Sequence, residues 1–122
     1  MITKQSVFKI LDNSGGITGQ CIGLYKKKKY NLKLGDHIVV SIKSAKLHKK
    51  IKKHEVKSAI IINTKKYINR VTEGVHLRFA QNGIVLVNNE QTPIGSRLTT
   101  VLPKELRHLN QMKLIAMAVG VI

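Results

Sequence analysis

For most of its length the chain alternates apolar and polar positions over short stretches, the pattern of strands separated by polar turns. Phe8 and Ile10 alternate with Val7, Lys9 and Leu11, and the run stops at Asp12-Asn13-Ser14-Gly15-Gly16. That segment supplies three turn-forming polar residues and two glycines free to take positive φ. A second strand is predicted from Gly19 to Tyr25. Between Asp36 and Ala45, Ile38, Val40 and Ile42 share one face and Ser41 and Lys43 the other, a period of two rather than 3.6. From Val56 to Asn63 the pattern thickens into Ala59-Ile60-Ile61-Ile62, which predicts a strand buried on both faces. Val75, Leu77 and Phe79 alternate with His76 and Arg78, and Asn82-Gly83, a favoured hairpin dipeptide, precedes the run Ile84 to Val87. Five or six such strands predict a mainly β fold closed into a small barrel. Near the end Pro103 fits the first turn of a helix in which Leu106 and Leu109 share a face, and a last strand is predicted over Lys113 to Ala118. No internal period or linker divides the chain, so residues 1–122 read as one domain.

Charge changes this picture from a generic barrel to a polyanion binder. The chain carries 22 Lys and Arg against 6 Asp and Glu, a formal charge of +16 on 122 residues. A globule of this size buries roughly two thirds of the surface its unfolded chain exposes, so the excess charge sits on a folded body and repels itself. Nucleic acid is the expected partner. The cations cluster as Lys26-Lys27-Lys28-Lys29, as Lys65-Lys66, and as five lysines in Lys46-Leu47-His48-Lys49-Lys50-Ile51-Lys52-Lys53-His54. Lying between two strands, the last stretch is predicted to form a projecting basic hairpin ordered by contact with phosphate.

The sequence offers no visible catalysis and no cofactor site. Histidines 37, 48, 54, 76 and 108 show no ligand spacing, and the six carboxylates include no close pair. The single Cys21 excludes an intramolecular disulfide, suggests a reducing compartment, and reads as a small core residue because it alternates with Ile22 in a strand. Gly15-Gly16 lacks the spacing and lysine of a phosphate-cradling loop. Only five aromatic residues are present, too few for a ladder that stacks unpaired bases, so recognition of a structured RNA through phosphate, 2′-hydroxyl and shape fits better. No apolar run reaches the ~18 residues that span a bilayer, and the first ten residues do not read as a leader. Lysine outnumbers arginine 18 to 4 and isoleucine occurs 15 times, a bias of AT-rich coding DNA that favours a small organellar or parasite-like genome.

LDNSGG at 11–16, GDHIVVSIKSA at 35–45, AIIINTKK at 59–66, RFAQNGIVLVNN at 78–89 and PIGSRL with KELR within 93–107 occur in that order. With them the chain closely resembles the universal large-subunit ribosomal protein L-fourteen family, of bacterial or organellar type, over essentially its whole length. It departs in three places: Glu73 stands before Gly74 where the family usually has Asp, Asn or Ser, Ala80-Gln81 replaces Asp-Gly, and Ser96 replaces Thr. The resemblance implies a five-stranded β-barrel with a protruding basic ribbon and a helical C-terminal part, without enzymatic activity. It implies binding to large-subunit ribosomal RNA, contacts with the neighbouring proteins L-nineteen and L-three, and an intersubunit bridge to small-subunit RNA. The positions matching RNA-facing cations of the family are Lys26, Lys27, Lys28, Lys29, Lys43, Lys46, Lys49, Lys50, Lys52, Lys53, Lys65, Lys66, Arg70 and Arg78. Ser96, Arg97, Lys104, Arg107 and Lys113 match a partner and bridge surface, and in relatives a silencing factor docks at the positions that match Ser96, Arg97 and Lys113. The implied location is a ribosome, mitochondrial and organelle-encoded, with a plastid or bacterial cytoplasm as the alternative. Two other classes stand beside this one: a free nucleic-acid-binding barrel such as a chaperone, which would expose aromatic stacking platforms, and a small basic ribonuclease, which would need two converging histidines.

Overall fold

The computed structural model describes residues 3–24, 31–109 and 111–122; the basic run Lys26 to Lys29 lies outside the described residues. Five strands close into a barrel: β1 (Val7–Ile10), β2 (Gly16–Leu24), β3 (His37–Ala45), β4 (Val56–Asn63) and β7 (Gly83–Val87). Neighbours are antiparallel except where β1 meets β7 in parallel, pairing Lys9 with Gly83 and Ile10 with Ile84. Closure needs a bare backbone at that seam. A Cβ on Gly83 would lie 2.1 Å from Leu11 Cδ1, so only glycine admits the leucine that covers the joint.

The apolar run of β4 is explained by two cores. Ala59 and Ile61 point into the barrel with Phe8, Cys21, Ile38, Val40, Ile42, Ile84 and Leu86. Ile60 and Ile62 point the other way, with Val85 and Val87, into a second cluster capped by Leu98, Leu102, Leu106 and Leu114. Each fully buried side chain of this size contributes about 1.5–3 kcal/mol, so a strand with no polar face can serve both layers. The covering layer is the C-terminal segment: β8 (Val101–Leu102), α1 (Glu105–His108), α2 (Met112–Met117) and β9 (Gly120–Val121), with β8 and β9 paired in parallel.

Two expectations are corrected. Residues Lys113 to Ala118 are not a strand: Met112–Met117 form α2, built from good helix formers around the buried Leu114, and the last strand is Gly120–Val121. Asn82-Gly83 is not a hairpin turn. Instead Val75–Leu77 (β6) pairs with Ile68–Arg70 (β5) as a separate ribbon, while Asn82 Oδ1 accepts the Lys65 N–H at 2.9 Å. The 46–55 connection joins antiparallel β3 and β4 as a basic hairpin loop, and it is anchored at its middle and its root rather than free. Ile51 is 1% exposed and belongs to the barrel core, and the Lys46 N–H donates to the Gly15 carbonyl at 2.8 Å. His48 (φ 60°) and His54 (φ 71°) take the left-handed bends that fold the loop back, a conformation histidine tolerates better than most residues.

The segment after β1 ties these parts together. The Asp12 carboxylate is buried, accepting the Ser14 N–H at 3.1 Å and hydroxyl at 2.5 Å on Oδ1 and the Leu86 N–H of β7 at 3.2 Å on Oδ2. Burial pushes its pKa above the ordinary aspartate value, while these hydrogen bonds pull it back.

Two stability changes follow. Ile51→Ala is expected to lower unfolding free energy by about 2–5 kcal/mol in denaturant titration, as for a core isoleucine; a loss typical of a surface loop would show that Ile51 is not a core side chain. Asp12→Asn puts an amide donor against N–H and O–H donors and should cost about 1–3 kcal/mol. A raised folded-state pKa means that the native state takes up its proton first on acidification. The wild-type advantage over Asp12→Asn should therefore widen as pH falls towards the ordinary aspartate range, and a narrowing gap would contradict the burial argument.

Candidate nucleic-acid interface

Among the described residues the acidic side chains are nearly all engaged inside the molecule. Asp12 is buried, and Asp36 accepts the Lys33 N–H at 2.8 Å. Glu55 lies 3.5 Å from Lys57. Glu73 pairs with Lys104, and Glu105 holds Arg70 with both oxygens, at 2.6 and 3.0 Å. Of the predicted RNA-facing cations that lie among the described residues, only Arg70 is held in one of these ion pairs. Lys43, Lys46, Lys49, Lys50, Lys52, Lys53, Lys65, Lys66 and Arg78 are all exposed and in no ion pair among the described residues. Their charge is left uncompensated on the surface.

Local structure positions them. Strand alternation that buries Ile42 turns Lys43 outward, and burial of Ile51 inside a run of lysines turns Lys49, Lys50, Lys52 and Lys53 to solvent. Gly15 (φ +112°) is needed beneath them, because a Cβ there would lie 2.3 Å from Lys49 Cβ. Lys65 and Lys66 leave the end of β4 where Asn82 pins the Lys65 amide. In the β5–β6 ribbon, Ile68 pairs with Leu77 and Asn69 with His76, so Tyr67, Asn69, His76 and Arg78 share its solvent face. The Arg78 guanidinium lies 5.1 Å from the Tyr67 ring centroid, and His76 meets that ring edge-on at 6.2 Å. Sequence reasoning named Arg78 but not its aromatic neighbour; the alternation Tyr67-Ile68-Asn69-Arg70 was the available signal.

Arg70 departs from expectation. It sits on the ribbon's inner face, where Nε and Nη2 grip Glu105 and Nη2 also donates to the Ile122 carbonyl at 2.8 Å. Its charge fastens the ribbon to α1 and the last strand, so it is a structural cation rather than part of the exposed set. Lys104 is likewise engaged, with Glu73.

Of the predicted partner surface, Ser96, Arg97, Arg107 and Lys113 are exposed. The turn before Ser96 is not set by Pro93 and Gly95 alone. The Asn13 side chain clamps it, Oδ1 accepting the Ser96 N–H at 2.8 Å and the Arg97 N–H at 3.3 Å, and Nδ2 donating to Ser96 Oγ at 2.8 Å. Gly95 is required there because a Cβ would lie 2.6 Å from Asn13 Oδ1. The Leu98 N–H donates to the Met117 carbonyl, which brings the end of α2 to this turn, although Lys113 stands in a helix and not at the head of a strand. Cys21 is fully buried in the barrel, and burial pushes its thiol pKa up.

The ion pairs give a signed pH dependence. Hydrogen bonding to Arg70 lowers the Glu105 pKa, so this pair's contribution is complete above the ordinary glutamate range and is lost as pH falls through the lowered value. Glu105→Gln should therefore be less stable than wild type at neutral pH, and the two should converge in acid. Denaturant midpoints at several pH values would show this; parallel curves would mean the pair contributes nothing.

Among the described residues the geometry presents a closed barrel with exposed cations on two connections and one ribbon. A family model described as ribosomal protein L14p/L23e matches residues 1–122, the whole length over which the barrel, the basic loop and the C-terminal layer are built. The chain belongs to the ribosomal protein L14p/L23e family, structural proteins of the large ribosomal subunit that serve translation.

Proposed function

We propose that this chain binds large-subunit ribosomal RNA through the exposed lysines of the 46–55 connection together with Lys43, Lys65, Lys66 and Arg78, and that Lys26 to Lys29 extend that surface. The observation that carries this reading is the segregation of charge: among the described residues the carboxylates other than Glu90 are engaged within the fold, while Lys43, Lys46, Lys49, Lys50, Lys52, Lys53, Lys65, Lys66 and Arg78 stay exposed and outside its ion pairs. The turn at Ser96 and Arg97, with Arg107 and Lys113, forms the subunit-facing side. There it meets small-subunit RNA in an intersubunit bridge and offers a docking surface for a silencing factor that blocks subunit joining. The rigid Asn13 clamp supports this, because a surface presented to an interchangeable partner benefits from being ordered beforehand. Proteins L-nineteen and L-three are the proposed protein neighbours, and the lysine-rich, isoleucine-rich composition favours a mitochondrial ribosome.

Replacing Lys49, Lys50, Lys52 and Lys53 together by Ala should leave the fold intact, since all four are exposed, and weaken binding to large-subunit ribosomal RNA. Each lost phosphate contact should flatten the dependence of log affinity on log salt by about 0.7–0.9. An unchanged slope in the quadruple variant would remove this loop from the RNA surface.

A further inference from the structure

We propose that the cavity between the β5–β6 ribbon and the segment before β3 receives a single unstacked nucleotide of the bound RNA, with Tyr67 as its stacking platform. The proposal rests on the RNA-binding reading above and adds a specific site to it. The cavity has a volume of 830 Å³, within the ~300–1,000 Å³ typical of small-ligand sites. Its lining divides by chemistry. Leu32, Leu34 and Ile68 provide apolar surface, Tyr67 provides an aromatic wall, and Lys33, Lys65 and Lys66 provide cations. A nucleotide has this same division: a flat base that seeks apolar and aromatic cover, and a phosphate that seeks cations.

Four details favour a nucleotide over an apolar peptide. Tyr67 is 54% exposed although it lines the cavity, so its ring is open to a partner. The ring is already held by Arg78 at 5.1 Å and His76 at 6.2 Å, so stacking would order little that is not ordered, and the added cation favours an electron-rich base nearby. Glu105, the one carboxylate in the lining, is neutralised by Arg70, which leaves the lysines to set the sign of the cavity. Asn82 gives its Oδ1 to the Lys65 amide, and its Nδ2 makes no hydrogen bond among the described residues, so it stands at the wall as a donor for a base edge. One platform of this kind is compatible with a chain too poor in aromatics to hold a ladder of bases.

The test is a titration of the full chain and its variants against a large-subunit ribosomal RNA transcript over a range of salt. Tyr67→Ala should weaken binding about tenfold with no change in salt slope, because it removes stacking and no phosphate contact, while Tyr67→Phe should bind like wild type. Lys65→Ala with Lys66→Ala should flatten the slope by about 1.5. Ultraviolet crosslinking of the wild-type complex should join the Tyr67 peptide to one nucleotide. If wild type binds RNA and Tyr67→Ala binds equally well, the nucleotide site is wrong and the RNA-binding reading survives; if wild type does not bind RNA, both fall. A Tyr67→Ala variant that keeps its RNA affinity but loses a neighbouring ribosomal protein in assembled subunits would assign the cavity to a peptide and overturn the proposal.

Discussion

The buried carboxylate of Asp12 is the constraint on which the rest of the arrangement depends. It lies just beyond β1, at the point where the barrel closes in parallel against β7, and it takes the Leu86 N–H that the short seam leaves over. The same turn supplies Asn13 to the 95–97 segment, the Leu11 carbonyl to Thr99, and the Gly15 carbonyl to Lys46. Five consecutive residues thus fix the barrel seam, the root of the basic loop and the start of the C-terminal layer. A buried acid is costly unless its lone pairs are filled, and here three donors fill them. In a chain with 22 cations and 6 acids, committing one acid to this interior position also removes it from any role in balancing surface charge.

What could be read from the sequence follows from where each signal is physically local. The alternation of Ile38, Val40 and Ile42 is a property of one strand and its one buried face, and it predicts β3 to within a residue. The unbroken run Ala59 to Ile62 predicts burial on both sides of β4 and so anticipates a second layer. Closure of the barrel as a mainly β fold was legible for the same reason. The errors fall where the outcome is decided by a distant partner. Asn82-Gly83 has the chemistry of a hairpin turn, but Leu11 and Lys65 claim those residues across the chain. Lys113 to Ala118 offers weak alternation, but covering the outer face of β4 and β7 requires Leu114 on a helix.

The candidate site shows the same division. Lysines in runs are exposed whatever the fold does, so most of the cationic set was available from composition and spacing alone. Arg70 was not, because its engagement inside the fold depends on Glu105, 35 residues away in the chain. The Tyr67, His76 and Arg78 cluster was hidden for a related reason. It exists only through the pairing of two three-residue strands: the alternation from Val75 to Phe79 announces β6, but not which segment it pairs with.

The basic loop resolves a conflict that a charge count leaves open. Five lysines in nine residues repel one another, and a loop held out only by that repulsion would sample many conformations and lose entropy on meeting RNA. Burying Ile51 opposes the repulsion with roughly 1.5–3 kcal/mol of transfer free energy and anchors the middle of the run, while Lys46 and His54 tie its two ends to backbone. Leu47, the other apolar residue of the stretch, stays 85% exposed, so the anchoring belongs to one side chain and not to apolar character in general. The cations are therefore offered on a loop with three fixed points. That reduces the ordering cost of any association made through the loop.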